Sequence, residues 1–462
     1  MYLAENLQFS NSLILHFERS LPMTPSSIQA HGCPCGRDHT CDVRKVLTGV
    51  GALNALPREL AALGITKPFI LCDPNTYKAA AARVEFLLSE SGMAFTTYRF
   101  SEERPEPDEY AVGAAVMHFD KTCDGVLAVG SGVVGDVSKL LAGLTGLPYA
   151  IVATAPSMDG YASATSSMTR GGLKVSIPSA CAALIVGDTE ILKNAPAETL
   201  ISGLGDMLAK YISIVEWRIS HILTGEYYCE AIADLVRDSL KACVDNVEGL
   251  LRREDKAVEA VFNGLVLCGM AMSLAGCSRP ASGVEHYFSH LWDMRGAEFG
   301  TPTSTHGIQC ALGTLYAVRL YEEVKSLTPD RGRALAYAEQ FDLAAWNTAL
   351  REFLGRGAET MIVLEEKEGK YDLAKHAARL SVIAERWEEL TSIMEELPPA
   401  TEVERILRSV GCPVTPEEMG LDPALLPMTL KASKDIRDKY VLSRLLWDLG
   451  LLDDFSERIC EM

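Results

Sequence analysis

The sequence has no apolar run of about 18 residues and no basic leader before its first apolar stretch, where Glu5 stands instead, so neither a spanning helix nor a secretory signal is expected. The expected location is the cytoplasm. Positive charge is also in short supply, with 43 Lys and Arg against 62 Asp and Glu and a formal net charge of −19. Such a field repels phosphate backbones and anionic lipid, which argues against nucleic-acid and membrane partners and requires any anionic substrate to meet a local cationic site. Disorder is excluded too, because 48% of the 462 residues are hydrophobic and only 23% charged, enough apolar side chain for two cored domains. No internal repeat of fixed period is present.

Cysteine is plentiful but mostly unpatterned. The thirteen cysteines fall largely singly in apolar segments, as at Cys181, Cys243 and Cys268, and read as buried thiols rather than a disulfide framework. The exception is HGCPCGRDH, from His31 to His39, where Cys33 and Cys35 share nine residues with two imidazoles. Both a zinc knot and a Gly/Pro-rich surface loop are open here, because C-x-C is tighter than the usual C-x-x-C and no second pair lies nearby in sequence.

From about residue 42 to 190, short β-rich runs alternate with helical stretches, the pattern of a layered α/β domain with a mainly parallel sheet. Strands are expected at Val43–Leu47, Pro68–Asp73, Ala94–Phe100, Gly125–Val129, Tyr149–Ala153 and Ala182–Gly187, and helices at Ala52–Leu63, Thr76–Ser89, Glu109–His118 and Val134–Leu144. After Ala195-Pro196 long amphipathic segments take over, so a division into an α/β domain over residues 1–190 and an all-α domain over 191–462 is expected. Tyr371–Leu397 reads as one or two solvated helices whose charges lie at the surface.

Four constellations carry chemistry. Gly130-Ser131-Gly132-Val133-Val134-Gly135-Asp136 follows a strand and opens a helix, so small residues and unpaired amides can meet a pyrophosphate; a tight turn without ligand is the alternative. The acid that a dinucleotide fingerprint wants about 20 residues later is missing. Next, Thr154-Ala155-Pro156-Ser157-Met158-Asp159-Gly160-Tyr161-Ala162-Ser163 is a hydroxyl-rich loop at the carboxyl end of a strand, the edge where open α/β sheets bind ligands. Asp206, in GLGDMLAKY, reads as a first-turn acid of an apolar helix, where a dipole role competes with a functional one. Lastly, His286 and His290 share a helical face and His306 follows, a cluster that with one carboxylate suits zinc, nickel or ferrous iron and leaves positions open for substrate. A metal that polarises a ketone beside a nicotinamide reads as an alcohol dehydrogenase.

These stretches resemble the AraM-type bacterial glycerol-1-phosphate dehydrogenases, within the dehydroquinate-synthase-like and iron-containing alcohol dehydrogenase superfamily. The resemblance rests on AVGSGVVGDVSK, ATAPSMDGYAS, GDTEILKNAP, GLGDMLAKY, CSRPASGVEHYFSH and THGIQCALGT, in family order, across roughly residues 42 to 325. It implies an NAD(P) site with the cofactor phosphates on Gly132, Val133, Val134, Gly135 and Asp136, the nucleotide along Thr154, Ser157 and Ser163, and the ribose on Asp73, an acid from an earlier strand. It further implies a divalent metal, zinc or nickel with iron as an alternative, on Asp206, His286 and His306, with Asp159 and His290 at the substrate. Val133 replaces a lysine found in some relatives.

The implied reaction is reversible reduction of dihydroxyacetone phosphate to sn-glycerol 1-phosphate, in a homodimer. Lys139, Lys174 and Lys210 are candidates for the cationic patch. Rival readings are a dehydrogenase of glycerol or another polyol or sugar phosphate, a dehydroquinate-synthase-like cyclase, and a nucleotide-binding relative without turnover.

Overall fold

The computed structural model describes residues 32–171 and 173–462; His31 and the amino-terminal stretch around Glu5 lie outside them. The chain forms two compact units, one of Met1–Met207 with Cys229–Ser278, the other of Leu208–Tyr228 with Arg279–Met462.

The first unit is built on a six-stranded parallel sheet. Its strands are β1 (Lys45–Gly49), β2 (Pro68–Cys72), β3 (Thr96–Arg99), β4 (Gly125–Gly130), β5 (Tyr149–Ala153) and, after a hairpin of β6 (Thr165–Arg170) with β7 (Leu173–Pro178), β8 (Leu184–Asp188). The order is β1-β8-β5-β4-β2-β3, and every neighbouring pair in it runs parallel. Strands β2, β4, β5 and β8 are buried at every residue, which is why PFILC, GVLAVG, YAIVA and LIVGD are nearly unbroken apolar runs. The edge strands β1 and β3 are partly exposed and more polar.

All six expected strands form within two residues of their expected ends. Helices α1 (Leu56–Ala62) and α2 (Ala82–Glu90) begin four and six residues later than expected, after a 3-10 turn at Ala52–Ala55 and a π turn at Tyr77–Ala81, whereas α3 (Glu109–Met117) and α4 (Gly132–Thr145) lie within two residues of theirs. The β6–β7 hairpin was not expected, although Gly171-Gly172 between alternating segments is its signal.

Helix α5 (Ala197–Leu208) follows β8; α6 (Lys210–Thr224) starts the second unit; and α7 (Glu230–Asp245) with α8 (Asp255–Ala275) return to the first. Among the described residues α8 is long and apolar enough by length and composition to cross a membrane, although Glu259 and Asn263 interrupt its apolar run. It is a core helix, with 72% of its most apolar window buried. A Cβ on Gly269 of α8 would come 2.6 Å from the Asp159 carbonyl oxygen, so glycine lets α8 lie directly against the 154–163 loop.

The second unit is helical. Its α9 (Val284–Phe299) and α10 (His306–Val324) pack together at Gly313, where a Cβ would lie 2.8 Å from the Glu285 carbonyl oxygen. The 371–397 stretch forms two helices, Leu373–Glu385 and Trp387–Met394, but is not only surface. Tyr371 donates to Asp435 at 2.5 Å, Arg379 binds Asp448 through two contacts of 2.7 Å, and His376 is fully buried. These partners lie sixty or more residues away in sequence, so periodicity alone could not reveal them.

Candidate active site

The first unit contributes a phosphate-sized turn and a polar loop from adjacent strands. Gly130 pairs with Ala153 in the β4–β5 register, so the glycine turn and the Thr154–Ser163 loop leave the sheet side by side at its carboxyl edge. Ser131 is the N-cap of α4 but does not cap it with its side chain. Its hydroxyl instead meets Ser157 Oγ at 2.6 Å, tying the two loops together. Gly132 and Val133 are half-buried at the helix start, where the first-turn amides and the dipole favour an anion. Val134 is buried against the sheet, and a Cβ on Gly135 would lie 3.3 Å from Ile151, so this glycine serves helix–sheet contact.

Several expected cofactor residues have partners within the protein. Asp73 caps the turn after β2, its Oδ1 accepting from Asn75 N and Thr76 N, each at 2.8 Å, and burial raises its carboxyl above the usual range. Thr154 is buried, its amide donating to Gly130 O at 3.1 Å. Ser163 donates to Thr165 O at 3.0 Å and receives Lys139 Nζ at 3.2 Å.

Lys139 is fully enclosed. Its amine also reaches Thr165 O at 2.6 Å, Gly160 O at 3.1 Å and Asp136 Oδ1 at 2.8 Å. This lysine therefore braces the loop from behind rather than facing a substrate anion. Lys210 is likewise buried, donating to Ala281 O at 3.0 Å in the second unit, while Lys174 lies on β7.

Asp206 departs from the first-turn reading. It occupies the last turn of α5, just before the break at Ala209, and is wholly buried. The dipole disfavours an anion at that end, so a capping role is excluded. Its Oδ2 accepts the Asp159 amide at 2.9 Å. This brings two of the expected carboxylate residues together, with Asp159 opening the short turn Gly160–Ala162. Helix α5 is seated by Ser202, which donates to Ser157 O at 3.0 Å, and by Gly203, where any Cβ would collide with the Pro156 carbonyl oxygen.

The second unit gathers the three histidines. The rings of His286 and His306 are 5.0 Å apart between centroids, with His290 6.4 Å from His286 and 6.1 Å from His306. Glu285 is fully buried, and its Oε1 accepts both the Gly283 amide at 2.6 Å and His286 Nδ1 at 2.8 Å. A carboxylate can only accept, so Nδ1 carries the proton and Nε2 presents its lone pair, the tautomer of a metal-ligating histidine. His306 Nδ1 lies 3.1 Å from Ser289 Oγ.

Cys310, one turn after His306, joins His286 and His306 in a group whose donor atoms all lie within 4.8 Å. Sequence reasoning missed it, though its i+4 spacing from His306 was visible. Burial alone would raise its thiol, but the two imidazoles outweigh that and lower it. Behind Glu285, burial and the Glu285 charge push Glu216 up to about 8, against the amides of Leu442 and Val284 that it accepts at 2.8 and 2.9 Å. The two imidazoles and the thiol form a donor set whose chemistry fits a divalent cation of borderline softness.

Known proteins match this chain across most of its length. The iron-containing alcohol dehydrogenase family matches residues 47–196. A glycerol-1-phosphate dehydrogenase (NAD(P)+) of Halalkalibacterium halodurans is 26% identical over 417 residues, 89% of this chain and 94% of that protein. Proteins of the same name from Bacillus subtilis and Pyrococcus horikoshii are 32% and 31% identical, aligned over 63% and 60% of this chain and 74% and 78% of their own lengths. Among solved structures, a probable glycerol dehydrogenase from Sinorhizobium meliloti superposes with a TM-score of 0.55 at 19% identity, covering 89% of this chain and 97% of that one. The NADH-dependent butanol dehydrogenase A of Thermotoga maritima gives 0.56 at 16% identity, covering 90% and 97%. Both confirm the fold of a mainly parallel sheet followed by a helical region.

Proposed function

The chain belongs to the glycerol-1-phosphate dehydrogenase family, and from that premise we propose that it is a metal-dependent NAD(P)H-linked oxidoreductase interconverting dihydroxyacetone phosphate and sn-glycerol 1-phosphate. The observation that carries the metal dependence is His286, whose Nδ1 is held by buried Glu285 while its ring lies beside His306.

In this reading Gly132, Val133, Val134, Gly135 and Asp136 take the cofactor phosphates, Thr154, Ser157 and Ser163 run along the nucleotide, and Asp73 meets the ribose. Asp206, His286 and His306 hold one divalent cation, zinc or nickel, and Asp159 orients the substrate hydroxyls. A cation held there would supply Lewis acidity for a carbonyl oxygen, and a bound reduced nicotinamide would supply the hydride. His290 then delivers the proton to the substrate oxygen, directly or through water. Residues 1–190 would thus serve mainly the nucleotide and 191–462 the metal and substrate. The family resemblance also supports a cytoplasmic homodimer.

The test is NADH oxidation by chelated protein given dihydroxyacetone phosphate, before and after zinc or nickel is restored, with dihydroxyacetone as control. Metal-restored turnover of the phosphorylated ketone is the expected outcome. Absence of turnover with every metal overturns the substrate assignment.

A further inference from the structure

The cysteine-rich loop ahead of β1 finds its missing partner in the fold. Cys33-Pro34-Cys35-Gly36 forms a tight turn closed by Gly36 N donating to Cys33 O at 2.9 Å, with Gly36 at φ 80°. His39 follows, and its ring is buried. Around these gathers Cys229, the buried N-cap residue of α7, 190 positions beyond His39 in sequence. One donor atom from each of Cys33, Cys35, His39 and Cys229 lies within 4.8 Å of all the others.

Three of the separations are near those of tetrahedral ligands on one metal ion. With sulfur about 2.3 Å and nitrogen about 2.0–2.1 Å from zinc, tetrahedral ligands stand about 3.8 Å apart for two sulfurs and about 3.6 Å for sulfur and nitrogen. Here Cys33 Sγ is 3.6 Å from Cys229 Sγ, Cys229 Sγ is 3.6 Å from His39 Nε2, and Cys35 Sγ is 3.2 Å from His39 Nε2. The Cys33–Cys229 separation is far beyond the roughly 2.05 Å of a disulfide.

The shell behind the donors is also in place. His39 Nδ1 lies 2.9 Å from the Leu274 carbonyl oxygen, which can only accept, so the proton resides on Nδ1 and Nε2 turns a lone pair towards the thiols.

We propose that Cys33, Cys35, His39 and Cys229 bind one structural zinc ion that fastens the loop before β1 to the start of α7 and, through His39, to the end of α8. Three thiolates and one imidazole close the coordination sphere, so this ion has a structural and not a catalytic role. Binding releases the protons of the three thiols. Occupancy therefore falls as pH is lowered.

Zinc should be counted per chain in the full-length protein and in Cys35→Ser and Cys229→Ser. The expected result is one equivalent fewer in each variant and a lower Tm. If the variants do not fold, alkylation mapping of the unaltered chain decides. Cys33, Cys35 and Cys229 should be protected until a strong chelator is added, while exposed Cys460 reacts throughout. Unchanged zinc in the variants, equal alkylation with and without chelator, or a Cys33–Cys229 disulfide in freshly purified protein would overturn the proposal. None of these outcomes depends on turnover, so the substrate reading stands or falls separately.

Discussion

Oε1 of Glu285 lies 2.8 Å from Nδ1 of His286, and no solvent reaches that carboxyl group. The neighbour in sequence thereby sets which ring nitrogen of His286 is available for coordination. Glu285→Gln keeps the shape but can present an N–H to the ring and weakens the fixed tautomer. It should lower metal affinity by about 10–100-fold, measured by competition with a chromophoric chelator. Unchanged affinity would contradict the orienting role.

Two glycine-to-alanine changes on helices should have opposite signs. At Gly203 the new methyl would strike the Pro156 carbonyl, so Gly203→Ala should cost roughly 1–3 kcal/mol and raise the KM for NADH as the 154–163 loop moves. At Gly113 of α3 nothing lies within 4 Å, so Gly113→Ala should stabilise by about 0.5–1 kcal/mol. Urea unfolding of both variants beside the parent checks the pair.

Lys139 offers a test of structure against recognition. Its amine is enclosed by Asp136, Ser163 and two carbonyls, so Lys139→Met should destabilise by about 3–5 kcal/mol, the range for breaking a buried pair. The KM for the phosphorylated ketone in the folded fraction should stay near that of the parent. A large KM rise without loss of stability would instead place Lys139 at the substrate.

Stability should also depend on pH through Glu365, a buried acid pushed up to about 7 by burial and by the neighbouring charge of Asp435. A carboxyl that holds its proton more tightly folded than unfolded contributes stability that is full below its ordinary value of 4.5 and is lost as pH rises through about 7. Glu365→Gln should therefore reduce the fall in urea midpoint between these two values. An identical pH profile for parent and variant would show that Glu365 titrates alike in both states.

What could be read from the sequence was whatever depended on neighbours close along the chain. The central strands announced themselves because a strand buried on both faces must be apolar throughout, as YAIVA and LIVGD are. The α4 glycine turn and the His286–His290 pair were legible for the same reason, their spacing being local. Asp206 was placed at the wrong end of its helix because α5 and α6 are interrupted only at Ala209, a break that no glycine or proline marks. Cys229 could not be connected to Cys33, nor Asp448 to Arg379, because those partners meet only through tertiary packing.

The path of the backbone through the two compact units has a consequence for biosynthesis. The unit holding the parallel sheet draws its last segment, α7 and α8, from residues 229–278, after α6 has already begun the other unit. A nascent chain that has completed β8 still lacks the helix that lies against Asp159 and the cysteine that faces Cys33. The sheet-bearing unit can therefore close only after Ser278 has left the ribosome, and α6 must wait outside its own unit until the carboxyl-terminal helices are made.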